Sequence, residues 1–212
     1  MAHCTLCLSQ DLKKEVRGKD SRKYWFCDRC FLIHADEKYF LPAAEEKKRY
    51  LEHNNGIEQA GYVNFLNRAV NPALPYLNPE MRGLDFGCGP APTISRLLEK
   101  HDIICDHYDP LFYPALDADA SYNFIFATEC FEHFFYPSNE MKRLQLLLNK
   151  NGYLIVMTEI WESFDLFKNW YYTRDRAHVS FFHKKTMTFL ESNFNWNLIY
   201  NTDNRVFIFQ KK

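Results

Sequence analysis

The sequence predicts an α/β protein: a doubly wound, mostly parallel sheet closed by an antiparallel C-terminal hairpin, with a small cysteine-rich module in front. Three observations predict it. From residue 81 onward short apolar runs alternate with helical patterns, the order expected of βαβ units. Three of the seven glycines, Gly83, Gly87 and Gly89, cluster in RGLDFGCGPAP, where the first of those strands gives way to the first of those helices. Two CxxC pairs, Cys4-x2-Cys7 and Cys27-x2-Cys30, stand ahead of all this.

In chain order, residues 1–40 form the cysteine module. Two knuckles separated by 19 residues can set four thiolates, Cys4, Cys7, Cys27 and Cys30, tetrahedrally around Zn²⁺. The run Tyr24-Trp25-Phe26 reads as a strand packing over the metal. Residues 41–80 form a helical extension. AAEEKKRYLEHNN is helical in composition, and Gln59 to Val70 places Tyr62, Phe65, Leu66 and Ala69 on one face. NPALPYLNP is expected to end helical structure and act as a linker. Residues 81–212 form the main domain: MRGLDF strand, TISRLLEK helix, DIICDHYD strand, YNFIFAT strand, SNEMKRLQLLL helix, GYLIVMTE strand and KKTMTFLESNF helix. WNLIYNT and RVFIFQK, joined by Asp203-Asn204, read as the hairpin. Because the four thiolates lie outside the main sheet, chelation is expected to unfold only the first ~40 residues.

Composition narrows the partners. The chain has 212 residues, 47% apolar and 25% charged, which is globular rather than disordered. The longest apolar run, Tyr153 to Met157, has five residues, against the ~20 of a membrane-spanning helix. MAHCTLCLSQDLKKE has no apolar core of a secretory signal, so the expected location is cytoplasmic, with reduced or metal-bound cysteines. A net charge of −1 offers no general attraction to nucleic acid or to an anionic membrane. Residues 1–30 carry seven Lys or Arg against four acids, whereas residues 101–141 carry eight acids and no Lys or Arg. The acidic stretch suits a cationic ligand and repels phosphates.

The glycine loop points to the ligand. Gly87 and Gly89 let the backbone turn tightly and approach a bound group, but Pro92 stands where a dinucleotide loop wants its third glycine. Asp85 beside the loop would repel a pyrophosphate and could pair with an ammonium. Asp109, 22 residues after Gly87 at the end of the next strand, is placed to accept from ribose hydroxyls. Here the sequence resembles the class I S-adenosylmethionine-dependent methyltransferases. Asp85-Phe86-Gly87-Cys88-Gly89-Pro90 is similar to their first motif, with Ala91 at the third glycine, Asp109 is similar to their second-motif acid, and Thr128-Glu129-Cys130-Phe131-Glu132-His133 resembles the loop after strand four. The layout further resembles bacterial members with an N-terminal zinc knuckle, an element at Tyr50, His53 and Asn54, and a late RD-x2-HVSF element.

The resemblance implies a Rossmann-like sheet, with Asp85, Phe86, Gly87, Cys88, Gly89, Asp109, Pro110 and Glu129 holding S-adenosylmethionine. One departure matters. Only 12 residues separate Asp109 from Tyr122, room for about 40 Å of extended chain but not for a helix, a strand and another helix. The usual third strand is therefore expected to be missing, with Asp117 and Asp119 the nearest replacements for its adenine contact. The E-x2-E-H pattern is similar to that of ubiquinone-biosynthesis O-methyltransferases, which implies Mg²⁺ as a further candidate ion.

On the acceptor side, FKNWYYTRDRAHVSFF lies between the fifth strand and the last helix, above the strand ends where open sheets bind ligands. Trp170 and Tyr171, with Tyr172, could wall a planar acceptor, and Arg174 could hold an anionic group. His178 and His133 are the candidate bases, since neutral imidazole is available near pH 7. The leading expectation is methyl transfer to a small molecule, planar or anionic. RNA base methylation with the zinc module contacting RNA, and a non-catalytic zinc-ribbon interaction protein, are the alternatives. Oligomeric state is not legible.

Overall fold

The computed structural model describes residues 3–12, 14–52, 56–117 and 119–212. His53 and Asn54 lie outside the described residues. Three short strands open the chain: β1 (Lys14–Arg17), β2 (Lys23–Phe26) and β3 (Ile33–Ala35). Two helices follow, α1 (Ala43–Leu51) and α2 (Ala60–Ala73), and then β4 (Arg82–Phe86), α3 (Thr93–Glu99), β5 (Ile104–Tyr108), β6 (Tyr122–Thr128), α4 (Pro137–Leu147) and β7 (Leu148–Met157). The insert holds α5 (Phe164–Phe167) and β8 (Ser180–Phe181), and α6 (Lys184–Asn193), β9 (Trp196–Thr202) and β10 (Val206–Lys211) complete the chain.

The main sheet runs β5-β4-β6-β7-β10-β9. The first four strands are parallel, and β10 lies antiparallel to both β7 and β9. Two helical packing patterns cover it. α2 buries Leu66, Ala69, Val70 and Ala73, the i, i+3, i+4, i+7 face of an amphipathic helix, against Phe124, Phe126 and Ile208. On the other side Met141, Leu144 and Leu147 of α4 pack with Leu84, Ile125 and Phe207. Three residues, 203–205, join the paired Thr202 and Val206, and Asp203 and Asn204 among them both take positive φ, 52° and 49°, in keeping with the twist of the flanking strands.

The absence of a third strand is observed: among the described residues no strand lies beyond β5, and the chain passes from Tyr108 to Tyr122 with a single bridge, Asp109 to Tyr113. The proline-rich segment behaves differently from expectation. α2 runs through Pro72, and Leu74–Tyr76 adds a 3₁₀ turn before the chain straightens. Pro72 falls in the last turn, where its missing N–H costs one bond while its φ still fits the helix.

The cysteine module is joined to the main domain. β8 pairs with β3, extending the N-terminal sheet to β1-β2-β3-β8 with a strand from the far end of the chain. Cys4, Leu6, Cys27, Cys30 and Leu32 pack in the same apolar cluster as Phe131, Phe182 and Met187. The buried Arg22 guanidinium donates from Nη1 to the carbonyls of Arg176 (2.9 Å) and His178 (3.1 Å), and from Nη2 to those of Thr173 and Asp175 (both 2.9 Å). This shared core gives metal loss a route to reach beyond the first forty residues. No helix among the described residues is long and apolar enough to cross a membrane.

Candidate active site

β4 ends at Phe86, and the chain must then turn under the start of α3. Gly87 takes φ +78° and Gly89 φ +64°, and a Cβ on Gly87 would stand 2.7 Å from Cys130 Cβ. Only glycine meets both demands at position 87, whereas Gly89 has open space where a Cβ would point. Asp109 closes the turn from the next strand. Its Oδ2 accepts from Gly89 N–H (3.0 Å), and its Oδ1 accepts from Leu111 N–H (2.8 Å) and Phe112 N–H (3.1 Å). A carboxylate offers about four acceptor positions, so one remains for a ligand.

Two adjoining cavities open from this loop, and both are bordered by Gly87, Gly89, Tyr50, Glu129 and His133. The first, about 360 Å³, is reached by Phe86, Asp109 and Pro110, with Phe134, Asn139 and Arg143 opposite. The second, about 470 Å³, is bordered by Cys88, Tyr62, Phe65, Glu132, Tyr171, Tyr172, His178 and Arg205. Tyr50 comes from α1, which buries none of its own residues but is fixed by Arg49 Nε to Asp175 Oδ1 (2.5 Å) and Lys47 Nζ to the Leu111 carbonyl (2.8 Å).

The acidic groups differ in their partners. Glu129, in a left-handed conformation (φ 48°) just past β6, pairs with Arg205 Nη1 (3.0 Å). Arg205 Nη2 reaches Glu159 Oε2 (3.1 Å). Glu132 is fully buried and accepts from the Tyr172 hydroxyl and from Thr158 Oγ1 (2.8 Å). Burial, followed by the charge of Glu129, pushes its carboxyl up to about 8. His178 Nδ1 lies 2.8 Å from the Tyr172 carbonyl, so Nδ1 carries the proton and Nε2 the lone pair. Burial brings His178 down to about 4, leaving it neutral at pH 7.

Most of the residues read from sequence converge here. Phe86, Gly87, Cys88, Gly89, Asp109, Pro110, Glu129, His133, Tyr171 and His178 all border one cavity or both. Asp85 borders neither: it is buried behind the loop. Trp170 packs against Tyr172 and Phe181 and borders a separate groove, and Arg174 is exposed away from both cavities. Asp117 lines a different hollow beside Arg82, and Asp119 is exposed, so neither is placed to touch an adenine ring in the first cavity. Asn139, at the start of α4, borders that cavity instead. Arg205 is not legible in the sequence, where it reads as the first residue of a strand. Its signal is a lone cation set between a polar turn and an apolar run.

This sheet order, with a glycine loop after β4 and an acid after β5 at the mouth of a cavity, is shared by a large group of enzymes. A family model described as a methyltransferase domain matches residues 57–201. The chain belongs to that family. Its fold is that of the class I S-adenosylmethionine-dependent methyltransferases. An O-methyltransferase family protein of Burkholderia thailandensis is similar in structure, with a TM-score of 0.52 and 8% identity over 72% of this chain. The match spans 57% of the Burkholderia protein. The N-methyltransferase NodS of Bradyrhizobium japonicum, solved with S-adenosyl-L-homocysteine, gives a TM-score of 0.51 at 10% identity, over 80% of this methyltransferase and 98% of NodS. At these identities the likeness shows the fold. No curated protein matches the chain.

The four thiols of the methyltransferase's N-terminal module also converge. Cys4 Sγ lies 3.5 Å from Cys30 Sγ, and Cys7 Sγ 3.5 Å from Cys27 Sγ, and all four sulfurs lie within 4.8 Å of one another. A tetrahedron with Zn–S bonds of about 2.3 Å has edges of about 3.8 Å, so the set fits a structural zinc ion.

Proposed function

We propose that the protein transfers a methyl group from S-adenosylmethionine to a small-molecule acceptor, with a structural zinc ion on Cys4, Cys7, Cys27 and Cys30. The observation that carries the reading is Asp109 bonded across to Gly89 at the mouth of a cavity shaped by the positive-φ glycines. S-adenosylmethionine supplies an activated methyl on a sulfonium. Phe86, Gly87, Cys88, Gly89, Asp109, Pro110 and Glu129 would hold it, with the open acceptor position of Asp109 available to a ribose hydroxyl.

The first cavity carries Glu46, Asp109, Glu129 and Glu140 against Arg143, a balance that suits a cationic donor. Its aromatic border, Tyr50, Phe86, Tyr108 and Phe134, suits a planar base. The second cavity would take the acceptor. Tyr62, Phe65, Tyr171 and Tyr172 line it with aromatic surface, and alignment in such a site is the main contribution a protein makes to a displacement reaction. The exposed Arg174 borders neither cavity, and the cations that do border the second, Arg49 and Arg205, are each committed to carboxylates.

Incubation with methyl-labelled S-adenosylmethionine and a fractionated metabolite extract tests the reading. The expected result is S-adenosylhomocysteine together with one labelled small product. Calorimetry that detects no binding of S-adenosylhomocysteine would reject the donor assignment.

A further inference from the structure

We propose that Glu132, His133 and His178 form a binding site for one divalent transition-metal cation, opening onto the cavity that also borders the glycine loop. One ligand atom from each lies within 4.8 Å of the other two, and all three residues border the same cavity. Glu132 and His133 are adjacent on the 3₁₀ turn after β6, whereas His178 arrives from the insert 45 positions later. Its ring centre lies 4.8 Å from that of His133, at 79° to it.

The surroundings are those of a ligand set. Metal-bound histidines usually donate their second ring N–H to a carbonyl or carboxylate, and bound carboxylates are themselves hydrogen-bonded. His178 gives Nδ1–H to the Tyr172 carbonyl at 2.8 Å, which leaves Nε2 as its coordinating atom. Glu132 is oriented by the hydroxyls of Tyr172 and Thr158, one on each oxygen. Tyr172 thus fixes both ligands, one through its hydroxyl and the other through its backbone.

Glu132 also lacks what a buried acid ordinarily has. It is 0% exposed, yet among the described residues no Lys or Arg forms an ion pair with it, whereas its neighbour Glu129 has Arg205. Buried carboxylates are paired with cations, coordinate metals or stay protonated, and a cation held by the two adjoining imidazoles would keep this one ionised. Two imidazoles and one carboxylate favour zinc, ferrous iron or manganese over magnesium or calcium, which prefer oxygen. Three protein ligands leave at least one coordination position for water or another ligand from the cavity. The assignment stands on the side chains alone and does not depend on methyl transfer.

The test adds Co²⁺ to the full-length chain as purified, with its cysteine site already filled, under reducing conditions. Equilibrium dialysis is expected to show one equivalent of Co²⁺ bound, with weak visible bands and no intense sulfur-to-cobalt absorption. Glu132→Gln and His178→Ala should each weaken binding more than about 100-fold, and Tyr172→Phe, which removes only an orienting hydroxyl, about 10- to 100-fold. Circular dichroism identifies any variant that fails to fold, and the wild-type stoichiometry and spectrum decide the question in that case. A wild-type chain that takes up no cobalt, or takes it up only with a thiolate band, overturns the site, as do folded variants that bind like wild type.

Discussion

Arg22, in the cysteine module, donates to the backbone carbonyl of His178 at 3.1 Å. The same guanidinium satisfies three more carbonyls between residues 173 and 176, so a side chain from the N-terminal sheet sets the conformation of a loop that borders the second cavity. Arg22→Met should orphan several of these buried groups. Each unsatisfied group costs about 1–3 kcal/mol, part of which local rearrangement recovers. A loss of about 3 kcal/mol in urea denaturation is expected, together with faster amide exchange across 173–178. Unchanged exchange there would remove Arg22 from this role.

Asp109→Ala should remove both the brace on Gly89 and the remaining acceptor position. Binding of S-adenosylhomocysteine is expected to weaken by about 1–3 kcal/mol, roughly 5- to 150-fold. Isothermal calorimetry measures it, and equal affinity in mutant and parent would exclude Asp109 from the donor site.

Asp85 makes stability depend on pH. Burial, reinforced by Asp109, pushes its carboxyl up to about 8 from an ordinary value of 3.8. Between those values the folded chain holds a proton that the unfolded chain releases. Its contribution is therefore fully present below about pH 4 and is lost as pH rises through 8, at up to about 1.4 kcal/mol per pH unit. Asp85→Asn, which cannot ionise, should flatten this dependence and melt higher than the parent at pH 8 in the absence of ligand. Parallel melting curves for the two chains from pH 5 to 8.5 would refute it.

One zinc ion per chain is expected by elemental analysis after purification without added metal. Because the knuckles share an apolar cluster with Phe131 and Phe182, a strong chelator should lower the melting temperature of the whole chain and weaken S-adenosylhomocysteine binding with it. Retention of full donor affinity by the chelated protein would show that the module is energetically separate.

The strand order and the glycine loop are legible in the sequence because each has a local signature. Apolar runs such as YNFIFAT and VFIF have no alternative to a buried strand, and the twelve residues after Asp109 are too few to build a third one with its helices. Clusters assembled from distant segments are harder to read. Glu132 and His178 each stand out as single residues, but they are brought together by a long-range backbone bond, Val179 N–H to the Glu132 carbonyl at 2.8 Å, next to a two-residue strand that has no periodicity to detect. Arg174 reads as the insert's anion holder, yet the cations bordering the second cavity come from α1 and the hairpin. Which of several surface-like arginines turns inward is decided by packing, which sequence spacing does not encode.

The β3–β8 pairing also sets a timetable. His34 and Ser180, partners across that ladder, are 146 positions apart in the chain. At about 5–20 residues per second, a ribosome takes roughly 7 to 29 s to cover that distance. Throughout that interval β3 presents an open edge, and the carbonyls that Arg22 must satisfy do not yet exist. The cysteine module is synthesised long before the strand that completes its sheet, so early metal capture by its thiols would keep the nascent edge ordered until that strand emerges.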